Sequence, residues 1–189
     1  MKIDRKTMAL VVPVDQEGGK TLYVHIRPLA REVFEQNYKL IGQTINLLYA
    51  EGLGIGAPRL AALALKDLAI KQKIWPEVEA GLVAEMHRGA SVLAVGESGR
   101  YETFMWDDAV VRGVISADDA LEVDGAITFF TVACCMHTRK ELTDILATLS
   151  GMWGAQESSL TPTEFANSLR TPIAPEPTPA KAILSSIPQ

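Results

Sequence analysis

Residues able to do chemistry are few in this chain, and the densest group of them is Cys134, Cys135 and His137. A thiolate attacks as a nucleophile when a base and an orienting group stand beside it, and thiols with imidazoles are common zinc ligands. Zinc wants about four such ligands, while the other histidines, His25 and His87, are remote in sequence. Adjacent side chains on a helix also diverge by about 100°. The two thiols therefore read as small buried hydrophobes, with no metal, no cofactor and no catalytic residue assigned. They read as reduced, because a disulfide between neighbours is strained, and this suits a cytoplasmic setting.

Two further groups invite chemical readings. Asp118, Asp119, Glu122 and Asp124 form an acidic cluster, and paired carboxylates do acid–base work or hold Mg²⁺. They follow Ser116, a good N-cap, so favourable charge at a helix start accounts for them. Gly52, Gly54 and Gly56 alternate with Leu53 and Ile55. That stretch lacks the Gly-Lys-Ser/Thr of a phosphate loop and follows a helical pattern instead of a strand, so it reads as a connector between helices.

The elements that must position these groups can be read from periodicity. Residues 8–14 and 21–27 are rich in β-formers and flank a turn with Gly18 and Gly19, which predicts an antiparallel hairpin over 8–27. Leu22, Val24 and Ile26 would face the core, with Tyr23, His25 and Arg27 on a partly wet face. A helix is predicted from Ala30 to Glu51, with Val33, Phe34, Leu40, Ile41, Ile45, Leu48 and Tyr49 in one stripe. A second runs from Pro58 to about Gln72, and a third from near Pro76 toward Ala94. Residues 101–106 suit either a strand or the lead-in to a short helix at Asp107. Ser116 opens a helix to about His137 whose buried face is Ala126, Phe129, Phe130, Ala133 and Cys134. A last helix is expected from Thr138 to Trp153.

Beyond that point the composition changes. Thr161-Pro162-Thr163-Glu164 resembles a helix start, with one short amphipathic turn using Phe165 and Leu169. Pro172, Pro175, Pro177 and Pro179 forbid a helix after it. The expected organisation is a globular domain over 1–155, made of the hairpin 8–27 and a helical body 28–153, followed by a flexible, Pro-rich tail over 156–189. The fold class is α+β, mainly α: a short N-terminal antiparallel hairpin, a multi-helix body and a disordered C-terminal tail.

With 189 residues, 48% hydrophobic and 22% charged, the chain belongs among globular proteins. Its net charge of −5 and scattered basic residues argue against nucleic acid, which calls for a basic stripe. The N-terminal residues do not read as a signal peptide, and no apolar run reaches the length of a membrane span.

The order of these pieces resembles a known family. A hairpin ending in LYVHIRPLAREVFEQ, a helical body, a late helix SADDALEVDGAITFFTVA, the closure LATLSGMWG and a polar extension with SSLTPTEFANSL are together similar to the tail assembly chaperones of long-tailed, lambda-like bacteriophages. The resemblance implies a non-enzymatic protein of the host cytoplasm, absent from the mature virion. It would bind the tape measure protein, keep it soluble and recruit tail tube subunits, with self-association left open. Helix-in-groove recognition would suit that task, and Met8, Met86, Met105, Met136 and Met152 offer adaptable apolar surface. Candidate partner contacts are Met152 and Trp153 at the end of the body and Phe165 and Leu169 beyond it. Two other readings stand beside this one: another phage morphogenesis protein, such as a head–tail connector or tail completion factor, and an enzyme using Cys134 or Cys135 with a histidine.

Overall fold

The N-terminal strands pair as their alternation predicts. In the computed structural model, which describes residues 8–16, 19–51, 59–96, 98–136, 141, 143, 144, 147, 151 and 154–169, β1 (Ala9–Gln16) runs antiparallel to β2 (Lys20–Ile26), with Leu10 opposite Ile26 and Val14 opposite Leu22. Gly19 takes φ +74°, a conformation that costs a residue without Cβ little, and its amide donates to the Gln16 carbonyl at 3.3 Å. Gly18 lies outside the described residues.

The first helix follows its predicted stripe except at Tyr49, which stays half exposed. Helix α1 spans Arg31–Ala50 and buries Leu40, Ile41, Thr44, Ile45 and Leu48. The Thr44 hydroxyl donates back to the Leu40 carbonyl at 2.9 Å, so its burial leaves no unpaired polar group. Helix α2, Arg59–Lys71, returns alongside it, and Gln72 donates to Gln43 at 2.8 Å across the pair. The glycine connector 52–56 lies outside the described residues but joins these two helices. The Lys73 amide then donates to the Ile70 carbonyl and the Ile74 amide to that of Ala69. This is a Schellman end, with Lys73 at φ +60°. Next come α3 (Trp75–Val78), a π-helical segment (Glu79–Val83) and α4 (Ala84–Arg88).

Here the structure departs from the expected helix toward Ala94. The helix stops at Gly89, and Ala90–Val95 is strand β3, paired with β2 so that Val92 faces Val24. The stretch ASVLAV is apolar apart from Ser91 and buried on both of its sides up to Ala94, and such a run shows no period that separates strand from buried helix. Residues Tyr101–Met105 form strand β4 against β3, which settles that ambiguity. Helix α5 (Trp106–Val111) follows directly, and α6 spans Ala117–Met136. Ser116 caps α6: its hydroxyl oxygen accepts from the Asp119 amide at 3.1 Å.

Two more elements come from the segment expected as tail. Strand β5, Gln156–Ser158, pairs with β1, and helix α7, Pro162–Ser168, follows. The tail boundary at 156 is thus corrected: residues 156–169 return to the body, because Phe165 and Leu169 find an apolar surface to cover. Residues 170–189 and the predicted last helix through Met152 and Trp153 lie outside the described residues, apart from isolated positions within that helix.

The strands make one antiparallel sheet in the order β4-β3-β2-β1-β5. The α+β reading holds, but the hairpin is the middle of this sheet and not a separate lead-in to a helical body. Leu10, Val12, Leu22, Val24, Ile26, Ala90, Val92 and Ala94 belong to the main core with the helices. Side chains alternate across a strand, so Val11, Tyr23, His25 and Leu93 point the other way, where α7 lies. Helix α6 is buried around its whole circumference from Gly125 to Cys134, since β1, β2, α1, α2 and α4 all reach it. Uniform apolar character is what such a position selects. No helix among the described residues is long and apolar enough to cross a membrane.

Candidate functional site

Two places gather the residues singled out from the sequence, and a third was not anticipated there. The first is an open cleft of about 1060 Å³ where the chain leaves β2 and enters α1. Met8, Leu29, Phe34 and Cys134 supply apolar lining, and Arg27, Arg31, Glu35, Glu85 and Arg88 supply charge. Arg31 and Glu35 pair at 2.7 Å one helical turn apart, and Arg88 pairs with Glu85. The Glu35 hydrogen bond raises the Arg31 guanidinium further above its already high pKa. Arg27 donates to the Arg88 carbonyl at 3.4 Å. The cleft therefore presents oil at its base and alternating charge at its edge, a pattern that accepts an amphipathic segment.

Cys134 and Cys135 line this cleft, the first buried and the second half-buried, and neither forms a disulfide. The described histidines are bonded elsewhere. His87 Nε2 donates to Asp124 at 2.7 Å, its Nδ1 lies 3.6 Å from Asp107, and its ring sits 5.7 Å from that of Trp106. This trio ties α4 to α5 and α6. His137 lies outside the described residues. Among the described residues, no group of three or more His, Cys, Asp or Glu side chains is placed to hold a metal ion. The acidic cluster is dispersed: Asp119 serves the helix cap, Asp124 serves His87, and Asp119 and Glu122 border a smaller pocket of about 320 Å³ with Asp15.

The second place is the far face of the sheet. Phe165 of α7 is buried against Val11 and Leu93, with Leu169 half-buried beside them. Its ring meets Tyr23 edge-on at 5.9 Å, and Tyr23 meets Tyr101 at 5.7 Å, geometry favoured by the aromatic quadrupole. Burial, then the neighbouring Tyr23, raises the Tyr101 phenol above its ordinary pKa. His25, expected on a partly wet face, is only 1% exposed. Its Nε2 donates to the Leu160 carbonyl at 2.9 Å and its ring lies 6.5 Å from Phe165. Burial lowers the imidazole pKa from its usual value. Helix α7 starts in a full capping box: the Thr161 hydroxyl oxygen accepts from the Glu164 amide, and the Glu164 carboxylate accepts from the Thr161 amide at 2.9 Å. Those bonds hold the Glu164 carboxyl below the ordinary glutamate range. Phe165 and Leu169 thus meet the chain's own sheet in this structure, while Met152 and Trp153 lie outside the described residues.

The third place was missed in the sequence. Leu60, Leu63 and Ile70 on α2, and Ile74 just past it, stay substantially exposed, Leu63 at 59%. Within α2 the spacing of three and seven from Leu60 to Leu63 and Ile70 is a seam pattern, running beside the buried positions Ala61, Leu65 and Ala69. The signal was present as a second apolar period in an Ala/Leu-rich helix, masked by the first. Of the methionines, Met8 and Met86 are buried and Met105 is exposed on the edge strand.

No family model, curated protein or solved structure matches this chain. Function must therefore be argued from these surfaces and from the order of the segments that carry the resemblance.

Proposed function

We propose that this protein is a phage tail assembly chaperone: it binds an apolar helical segment of the tape measure protein, keeps that segment soluble and presents it to tail tube subunits. The reading places it in the host cytoplasm, outside the mature virion, and assigns it no catalysis. The resemblance of SADDALEVDGAITFFTVA, LATLSGMWG and SSLTPTEFANSL to that family motivates it. The structural observation that supports it is the open cleft with its apolar lining and paired charges. The exposed seam of Leu60, Leu63, Ile70 and Ile74 offers a second strip of the same character. A long amphipathic helix has one apolar face and charged flanks, and both surfaces match that chemistry.

Co-expression with a tape measure fragment tests the reading. The fragment should remain in the soluble fraction, and Leu29→Glu in the cleft or Leu63→Glu with Ile70→Glu on the seam should reduce its recovery several-fold. Precipitation of the fragment to the same extent with and without the protein would sink the proposal. Retention unaffected by either variant would move the contact to other surfaces, with Trp153→Ala the next substitution to make.

A further inference from the structure

We infer that the segment from Gln156 to Leu169 is a releasable strap over the far face of the sheet, and that protonation of His25 releases it. The inference goes beyond the chaperone reading and stands independently of it.

The strap is held by few groups. Strand β5 is three residues long and pairs with β1 only from Ala9 to Val11. Pro13 stands just beyond, and a proline has no amide to offer a further rung. Helix α7 contributes Phe165 and Ala166 to a small cluster with Val11 and Leu93, separate from the main core. Between strand and helix, His25 Nε2 reaches from the sheet to the Leu160 carbonyl, while the Leu160 amide donates within the strap to Ser158 Oγ.

That bond fixes the state of the imidazole. A carbonyl oxygen only accepts, so Nε2 must carry the proton, and the neutral ring then leaves Nδ1 as an acceptor. Nδ1 is buried with no hydrogen-bond partner. Adding a proton there would create a buried cation, costly away from water, and burial outweighs what the Leu160 carbonyl and the residue's own backbone give back. The surroundings offer no opposite charge. Arg27, just past the end of the same strand, opposes a second positive charge. Across the sheet stand Val11 on β1 and Ser91 on β3, neither of them charged. The strap contributes the Phe165 ring and the Leu160 carbonyl. Its carboxylate Glu164 is occupied by Thr161, and Glu157 is exposed. Tyr101, whose phenol burial pushes up, stays neutral in this range.

Lifting the strap gives both ring nitrogens to water, so the released form takes the proton more readily. The sign follows. Docking is at full strength above the ordinary histidine pKa of about 6.5 and weakens as pH falls below it, by up to about tenfold in the docking equilibrium per pH unit. Release would bare Val11, Tyr23, Leu93 and Tyr101 and leave the β1 edge unpaired.

Amide hydrogen exchange on the full chain reads this directly. Protection factors over 157–169 should drop up to about fivefold between pH 6.5 and 5.5, while those in α6 hold. His25→Gln keeps a donor for Leu160 but cannot titrate, and its strap should show no such drop. A second measurement leaves His25 in place: its imidazole, followed by NMR, should titrate at a lower pH in the native chain than in Phe165→Ala, whose strap is loosened. Unchanged strap protection in the native protein, an equal drop in His25→Gln, or the same titration in both chains would each overturn the inference.

Discussion

The two faces of the sheet are covered by different means. On one, α1, α2, α4 and α6 bury Leu10, Val12, Leu22, Val24, Ile26 and Val92 in a core shared by many elements. On the other, a single short segment covers Val11, Leu93, Tyr23 and Tyr101 with essentially one large side chain, Phe165. The first face is redundant: each side chain touches several elements, so none can leave without opening the whole core. The second depends on one segment, and that segment can leave while the sheet keeps its other support. The difference predicts one region that unfolds only globally and one that opens locally, from the low end of the stability range.

The largest effect should separate the faces cleanly. Phe130→Ala, at a fully buried position of α6, should cost about 3–5 kcal/mol and shift the denaturation midpoint of the whole domain. Phe165→Ala removes the same ring from the strap, yet the global midpoint should move by less than about 1 kcal/mol, because the strap opens on its own. Equal shifts would mean that the two faces form one cooperative unit.

Truncation gives the next effect. Ending the chain at Ala155 should lower the melting temperature by about 2–4 °C for each kcal/mol of strap docking lost and raise binding of a hydrophobic dye. Ending it at Leu169 should change neither. Loss of stability on removing only 170–189 would assign those residues a docking role of their own.

Acid should act on the strap in two windows. The His25 window opens below about pH 6.5. The Glu164 window comes later: its carboxyl is held below the ordinary range, so the stabilisation is complete above the unfolded glutamate pKa and disappears as pH falls through the folded value. Glu164→Gln, which cannot titrate, should abolish the second window and leave the first. Exchange or circular dichroism across pH 3–7 distinguishes them, and a single merged transition would show that one group controls both.

The smallest effects lie on the helix-covered side. Helices α2 and α5 end in the same Schellman geometry, but α5 places Gly113 at φ +67° where α2 places Lys73 at φ +60°. A side chain is strained there. Lys73→Gly should therefore gain up to about 1 kcal/mol and Gly113→Ala lose a similar amount, read by chemical denaturation.

Much of the helix-covered side was legible in advance. The hairpin, α1, α2 and α6 show up within one residue or so of their predicted bounds, since their periods and caps are local properties: Gly19 at the reversal, Ser116 at the start of α6, the stripe from Leu40 to Leu48. The capping box at Thr161 and Glu164 was legible for the same reason. What failed was each judgement that depended on what lies opposite. Ala90–Val95 was taken into a helix because a run covered on both sides has no period. His25 was placed on a partly wet face because nothing in LYVHI announces a segment arriving from 135 residues away. Leu63 and Ile70 could not be told apart from the buried positions of the same helix, because only the packing of α2 on α1 and α6 reveals which apolar residues remain outside.

By itself, then, the sequence determined where the chain reverses, where its main helices begin and which side chains must leave water, because turn, cap and hydrophobic period are set within a few residues. The tertiary structure alone decided that the hairpin would be the centre of a five-stranded sheet, that Gln156–Leu169 would cover its far side, and that a histidine there would be buried with one nitrogen unpaired. Those outcomes depend on contacts between distant segments, whose free energies appear only once the helices occupy one face and leave the other to be claimed.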